Sequence, residues 1–584
     1  MKMASDKLLE EFPPVSTEAW EEAIRKDLKG ADYARKLMWQ TEEGLAVKPY
    51  YRKEDIAGLD SLRQSRACSS IAAGRRLDGD WLIREEIDAI NPEEANQAAQ
   101  RAVAAGAEQI AFLHANVQNG SDLGLLLVNL QEVPIHFQNA GKALLRLLTT
   151  REKERSASAQ LSSGWNPFES PAFAAEILLA LPPGFVPFTI DGSGFEESGA
   201  SAVQEIGFTL AAAIDFLGEM TSRTIEVDRA AAAIEFSFAI GANYFFQIAK
   251  LRAFRILWAR VQESFGGKQQ SVPARIHARS SRWNKTIYDP HVNILRATTE
   301  AMSAALGGAD SISVAAFDEC YRAPNEASRR MARNTQIVLK QEALLSRVAD
   351  AGAGSYYLEF LTDFIARESW KIMQGIESAG GFGKANASGQ LAKALNESMA
   401  AREKAVVERR RVFTGTNQYA DPSEKALDRI DPMHRSVERR GARSYEQLRL
   451  RTERHAVLNG KTPRILLAEV GDVKMRSARS GFAQHFLASA GFELITQRFE
   501  SAGEIAPGNA DLIVLCSSDA EYAGLAAELF TMLKTLGCSV PVIVAGNPAS
   551  ADQLRELGVA DFIHVRCNPI EFLTAWQQRL GIEA

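Results

Sequence analysis

The sequence predicts an α/β protein of two packed units, a TIM (β/α)8 barrel followed by a flavodoxin-like doubly wound domain. Three observations lead there. At 584 residues the chain is too long for one hydrophobic core. From about Trp81 to Ala400, short apolar runs alternate with helical patterns some eight times, the rhythm of a barrel, with an open doubly wound sheet as the structural rival. The final stretch, 462–584, alternates again in strict strand–helix order, as a parallel sheet covered on both faces requires.

Residues 1–40 form a polar arm with a helix expected over Thr17–Leu28, Thr17 as its cap and Trp20, Ile24 and Leu28 on one face. Such an arm has too few apolar residues to fold alone and is expected to lie on another surface. Within the barrel unit, 41–400, Asp80–Ile87 reads as a strand. Asn91–Gly106 reads as a helix with Asn-Pro at its start and Gly at its end. Strands follow at Gln109–His114 and Ile135–Gln138, then a Leu-rich helix to Leu148. Val186–Ile190, Ala232–Phe238, Ala274–Ala278 and Ser311–Ala315 continue the series. Cys68–Arg76 and Arg151–Ser163 match no clear element.

Residues 401–461 change character: rich in Arg and Glu, broken by Gly415, Pro422, Asp431-Pro432 and Gly441. A charged, solvated linker is expected, the alternative being a segment that wraps a partner subunit. In the last unit, apolar runs at Ile465–Val470, Phe492–Ile495, Leu512–Cys516, Val540–Ala545 and Phe562–Val565 read as strands. Phe482–Ala490, Leu525–Leu536, Ala551–Leu557 and Ile570–Leu580 read as the helices between them. The segment Gly471–Ala478 reads as a polar loop at the first strand-to-helix turn, where such folds bind ligands.

Composition narrows the function. A formal net charge of −6 gives no electrostatic reason to expect nucleic acid or an anionic membrane as partner. The five Cys form no CxxC pair, and the eight His form no HxxxH or HxH pair, so neither a disulfide framework nor a metal site is expected. No apolar run suits a signal peptide or a bilayer span, and a cytoplasmic setting is the expectation. His114 and His136 end barrel strands, a place for catalysis, but hydrogen-bonded histidines in a partly filled barrel mouth are the favoured reading. His564 has no matched carboxylate to make it a metal ligand. Gly380–Lys384 is better a helix-capping turn than a phosphate loop, since Ser378 and Ala385 break the pattern. Arg329, Arg330 and Arg333 are read as a solvated or partner-facing helix surface before a site for a ligand's phosphate.

Several segments together resemble the methylmalonyl-CoA mutase family, across nearly the whole chain. Trp39–Tyr51 (WQTEEGLAVKPYY) is similar to the family's T-x-E-G-x-x-V-K-P-x-Y entry. Phe236–Trp258 and Ala332–Glu342 are similar to the second half of its barrel, and Gly352–Glu359 to its G-S-x-Y-x-E segment. Arg464–Ala478 resembles the corrinoid-binding strand and loop. The resemblance implies an adenosylcobalamin-dependent isomerase of methylmalonyl-CoA and succinyl-CoA.

It also implies which residues are gone. The family's catalytic Tyr-His pair, in S-G-Y-H-x-x-E-x-G-A, falls on Ser193 and Gly194 within Asp191–Ala200. The Asp-x-His-x-x-Gly loop, whose imidazole binds cobalt and whose carboxylate orients it, falls on Val473, Met475 and Ala478. Cys516–Asp519 stands where an S-x-L segment lines the cofactor's nucleotide tail, Ala545–Pro548 replaces a double Gly that allows the ligand close, Phe562–Cys567 replaces a Gly-rich turn, and the G-T-x-Q-N-D segment is not found. The resemblance therefore points to the small, non-cobalamin-binding subunit: no catalytic, cofactor-binding or metal residue of its own, and adenosylcobalamin held by a homologous large subunit in a heterodimer acting on an acyl-CoA. Two other readings stand beside it, a divergent mutase with relocated residues and a free-standing CoA-thioester-binding protein.

Overall fold

The computed structural model describes residues 15–59, 79–154, 161–181, 185–267, 272–434 and 439–583. Eight parallel strands close into a barrel: β1 (Leu82–Asp88), β2 (Gln109–Leu113), β3 (Ile135–Phe137), β4 (Leu161–Trp165), β5 (Val186–Asp191), β6 (Ile234–Ile240), β7 (Arg275–Ser280) and β8 (Ser311–Ser313), with β8 beside β1. The doubly wound rival for this region is thereby excluded. The apolar pattern located seven of these strands to within a few residues. It missed β4, because Leu161-Ser-Ser-Gly-Trp165 carries two serines that are buried and satisfied: Ser162 meets His136 at 2.9 Å, and Ser163 donates to the Pro187 carbonyl at 2.5 Å. The expected element-free stretch Cys68–Arg76 lies outside the described residues.

The arm's helix α1 is Thr17–Asp27, one residue shorter than expected, and its cap is Ser16, whose hydroxyl accepts the Ala19 N–H at 3.2 Å. No residue of α1 is buried, and Trp20 is 48% exposed with its ring against Tyr50. The following segment is better anchored. A two-stranded hairpin (Trp39–Gln40 with Ala46–Val47) leads to Tyr51, which packs on Tyr357 and Phe360, while Glu42 pairs with Arg402 at 2.8 Å.

Helix α2 (Glu326–Ile337) packs outside β1. Helix α3 (Gln390–Val407) runs through the position expected to end the barrel unit. The charge-rich stretch beyond it departs from a solvated linker. It contains helix α4 (Arg443–Asn459), with Tyr445 and Leu448 fully buried. Its charges are paired inward. Arg440 and Glu446 meet at 2.7 Å, the Glu453 carboxylate accepts from Tyr288 at 2.7 Å, and the buried Arg449 donates to the Asp421 carbonyl with its guanidinium 3.7 Å over the Tyr288 ring. Counting charges misread this segment because its buried charges also bond residues far away in sequence, Arg440 the Lys285 carbonyl, Glu446 the Ile287 N–H and Glu453 the Tyr288 hydroxyl.

The terminal unit is a five-stranded parallel sheet, β9 (Arg464–Glu469), β10 (Glu493–Arg498), β11 (Leu512–Cys516), β12 (Val542–Ala545) and β13 (Asp561–Ile563), in the order β10-β9-β11-β12-β13, a flavodoxin-like arrangement. Alternate residues feed two separate cores. Ile465, Leu467, Val514 and Ile563 face one side with Phe486, Trp576 and the α4 residues Tyr445 and Leu448. Leu466, Ala468, Ile513 and Val544 face the other, with Tyr522, Leu529 and Leu554.

Candidate functional site

A closed barrel followed by a doubly wound sheet offers two places for chemistry, the barrel interior with its mouth at the strands' C-terminal ends, and the crevice where the terminal sheet reverses direction. The barrel interior is crossed by a layer of buried polar side chains. Arg84 on β1 grips Glu235 on β6 with both terminal nitrogens, at 3.0 and 2.7 Å, and donates from Nε to Gln109 at 2.9 Å. His136 lies beside them, Nδ1 2.9 Å from Ser162 and Nε2 3.2 Å from Gln138, and His277 is 2.9 Å from Ser311. Burial opposes the charge of Glu235, but Arg84 and His136 outweigh it and hold the carboxyl well below its usual range. Burial and the Arg84 charge push His136 down to about 4, so it is a neutral imidazole at neutral pH. His136 is thus inside the barrel rather than at its mouth. His114 is at the mouth, exposed and 3.6 Å from Asp88.

Ser193 and Gly194 open a short helix (Ser193–Glu197) directly after β5. Ser193 is buried and turned onto Asp191, its hydroxyl donating to Oδ1 at 2.5 Å and its N–H to the same atom at 3.0 Å. Gly194 has no such engagement. A Cβ built there would meet nothing closer than Asp191 Oδ2 at 3.6 Å, so space for a larger side chain remains. The neighbouring Glu196 is held by Ser281 at 3.1 Å and lies 3.7 Å from Arg402.

In the terminal unit the expected loop Gly471–Ala478 is only Gly471 and Asp472. Helix α5 runs Val473–Ala488, so Val473, Met475 and Ala478 stand on its first turns. Asp472 caps it, its Oδ1 accepting the Met475 N–H at 2.8 Å, and nothing from Val473 to Arg479 breaks a helix. The sheet reverses between β9 and β11, and the chain fills that switch point itself. The Glu521 carboxylate accepts from Ser518 (2.6 Å), Ser517 (2.8 Å) and the Asp472 N–H (3.1 Å), and these hydrogen bonds lower it to about 2, Ser518 first. Gly471, at φ 77°, admits this latch; a Cβ there would stand 2.6 Å from Glu521. Behind it the buried Tyr522 hydroxyl accepts the Ser517 N–H at 3.0 Å and donates to the Ala545 carbonyl at 2.7 Å, closing β11 onto β12.

Met475, Ala478 and His564 line one open groove of about 600 Å³ with the Arg479–Asp519 ion pair, and Val473 stands outside it, 67% exposed. The His564 Nδ1 accepts the Arg566 N–H at 3.1 Å. Val473 and Ala478 have no donor atom and Met475 offers a thioether alone, so this donor set does not fit a corrinoid cobalt. Among the described residues no group of three or more His, Cys, Asp or Glu could hold a metal ion.

The remaining sequence candidates resolve as structure. At Gly380-Gly381 both residues take positive φ to join two helices, and Asp215 accepts the Gly383 N–H at 2.9 Å, setting a carboxylate where a phosphate would sit. Arg333 is buried on α2, bonded to Glu85 and to the Ala105 carbonyl, and is not the solvated or partner-facing residue expected. The charged residues that cross or line the barrel, Arg84, Glu86, Glu235 and Arg279, escaped sequence reading. Glu235 alone carries a plain signal, a charge in an otherwise largely apolar strand; Arg84, Glu86 and Arg279 lie in strands that hold several polar residues.

The fold defines a protein built of a TIM barrel and a flavodoxin-like sheet. The sequence profile of methylmalonyl-CoA mutase matches residues 175–460, so the charge-rich stretch belongs to the matched region. The methylmalonyl-CoA mutase small subunit of Porphyromonas gingivalis is 36% identical over 628 aligned positions, covering 100% of both chains. That of Streptomyces virginiae is 31% identical over 620, covering 98% of both. The methylmalonyl-CoA mutase of Cereibacter sphaeroides is 32% identical over 466, covering 71% of this chain and 66% of that one. The chain belongs to the methylmalonyl-CoA mutase family, and the two relatives above that match it end to end are small subunits.

Proposed function

We propose that this chain is the small subunit of a heterodimeric, adenosylcobalamin-dependent methylmalonyl-CoA mutase, structural or regulatory in role and not catalytic alone. The large subunit carries the cofactor, the acyl-CoA and the isomerisation between methylmalonyl-CoA and succinyl-CoA. The observation that carries this reading is the Arg84–Glu235–Gln109–His136 layer, which occupies the barrel axis with paired, buried charges. A coenzyme A chain could enter only by separating them, at the cost of unpaired buried charge. Ser193 turned onto Asp191, the empty position at Gly194 and the self-filled switch point support it from both units. The arm helix α1, with no buried residue of its own, suits a partner's surface.

Co-expression with a homologous large subunit carrying Asp-x-His-x-x-Gly tests the assignment. The two are expected to co-purify at equal stoichiometry, with corrinoid absorbance following the large subunit. The small subunit incubated alone with adenosylcobalamin should return without it. Stoichiometric corrinoid on the isolated chain, or failure to co-purify, would overturn the reading.

A further inference from the structure

Above the sealed layer the barrel keeps a cavity of about 450 Å³, a volume suited to a small ligand. It lies at the seam where the barrel closes. Strand β1 stays paired with β2 as far as Asp88, whereas its pairing with β8 is confined to Leu82 and Ile83. Beyond that point the chain after β8 swings away, and Val314, Ala315, Ala316 and Pro324 form apolar wall opposite Leu113.

Most charges around this cavity are already used. Arg84 is spent on Glu235, Arg282 on Glu319 at 2.7 Å, and Arg333 on Glu85. Two are not. Among the described residues, Glu86 on β1 makes no hydrogen bond or ion pair, and Arg279 on β7 makes a single ion pair, at 3.8 Å, to Glu197. Arg279 is 17% exposed at its side chain, and Glu86 is the charge that acts on it most strongly, yet the two do not touch. Asp191, Glu197 and Glu319 also act on Arg279, while Arg282, Arg329 and Arg333 line the same cavity, so both signs of charge meet there. A ligand that offers an anion to Arg279 and a cation to Glu86 answers the two groups left without a close partner.

We propose that the barrel mouth binds a small zwitterion, an α-amino acid with an apolar side chain, its carboxylate on Arg279 and its ammonium on Glu86. The apolar wall takes the side chain, and the closed floor limits the ligand to a short one. The site would give the subunit a ligand of its own, distinct from any acyl-CoA.

Calorimetric titration of the full chain with L-valine, isovalerate and isobutylamine tests this, the last two being valine without its ammonium and without its carboxylate. Saturable valine binding is expected, with each half-ligand weaker by about tenfold or more, the worth of a lost charged hydrogen bond. Glu86→Gln should weaken valine without weakening isovalerate; Arg279→Gln should weaken valine without weakening isobutylamine. General damage to the fold would not produce that crossed pattern. Should Arg279→Gln not fold, the half-ligand comparison on the unaltered chain and Glu86→Gln decide. Absence of saturable valine binding, isovalerate binding as tightly as valine, or displacement of valine by acetyl-CoA would overturn the proposal.

Discussion

Arg84 and Glu235 are 151 positions apart and meet through two hydrogen bonds inside the barrel. Removing one partner strands the other without water. Arg84→Met is expected to cost about 3–5 kcal/mol, and the double variant with Glu235→Gln to recover most of it, measured by urea denaturation. His136 supplies a pH dependence. Its folded pKa is about 4, depressed by burial and by Arg84 from 6.5, so between those values the unfolded chain binds a proton that the folded chain refuses. Its contribution is fully present above pH 6.5 and is lost as pH falls toward 4, on the order of 3 kcal/mol across the window. Thermal melts should show that loss, and His136→Gln should lessen it, the buried His277, pushed down in the same direction, supplying the remainder. None of these pairings was legible in the sequence, since contacts across a barrel leave no local pattern. The positions of Ser193 and Gly194 were legible, because they follow a strand that apolar residues mark plainly.

Strands buried on both faces, such as Leu512–Cys516, read directly as apolar runs. Strand β4 did not, because two adjacent serines interrupt its apolar run, Ser162 meeting His136 inside the barrel and Ser163 bonding the Pro187 carbonyl. The start of α5 was misplaced for a different reason: the resemblance suggested a loop, whereas Asp472 and the breaker-free residues after it make a helix. This element carries a prediction of its own. Restoring the motif residues with Val473→Asp, Met475→His and Ala478→Gly should yield no bound corrinoid spectrum, because Glu521 and Tyr522 still fill the switch point. It should also cost about 1 kcal/mol for glycine inside a helix, seen as a lower denaturation midpoint. Stoichiometric cobalamin uptake by that variant would show that the ligand residues alone were missing.

At the scale of the molecule, the charge-rich stretch fastens barrel and terminal sheet together. Trp283 from the barrel, Phe413, Tyr445 and Leu448 share one apolar cluster with the terminal sheet's inner face, and Gln577 donates to the Leu448 carbonyl at 2.7 Å. A fragment of residues 440–584 is therefore expected to melt cooperatively, whereas 462–584 should melt lower and bind a hydrophobic dye, its sheet face uncovered. Equal melting of the two would show that α4 contributes nothing to that core. The hydroxyl of Tyr522 and the carboxylate of Glu521 have a last consequence, for timing. A domain whose ligand crevice is stitched by its own side chains reaches its final shape as soon as it folds, whatever the supply of vitamin in the cell. If it serves as the companion of a cofactor-loaded subunit, it is ready as a template before loading begins, and the order of assembly need not wait on the cofactor.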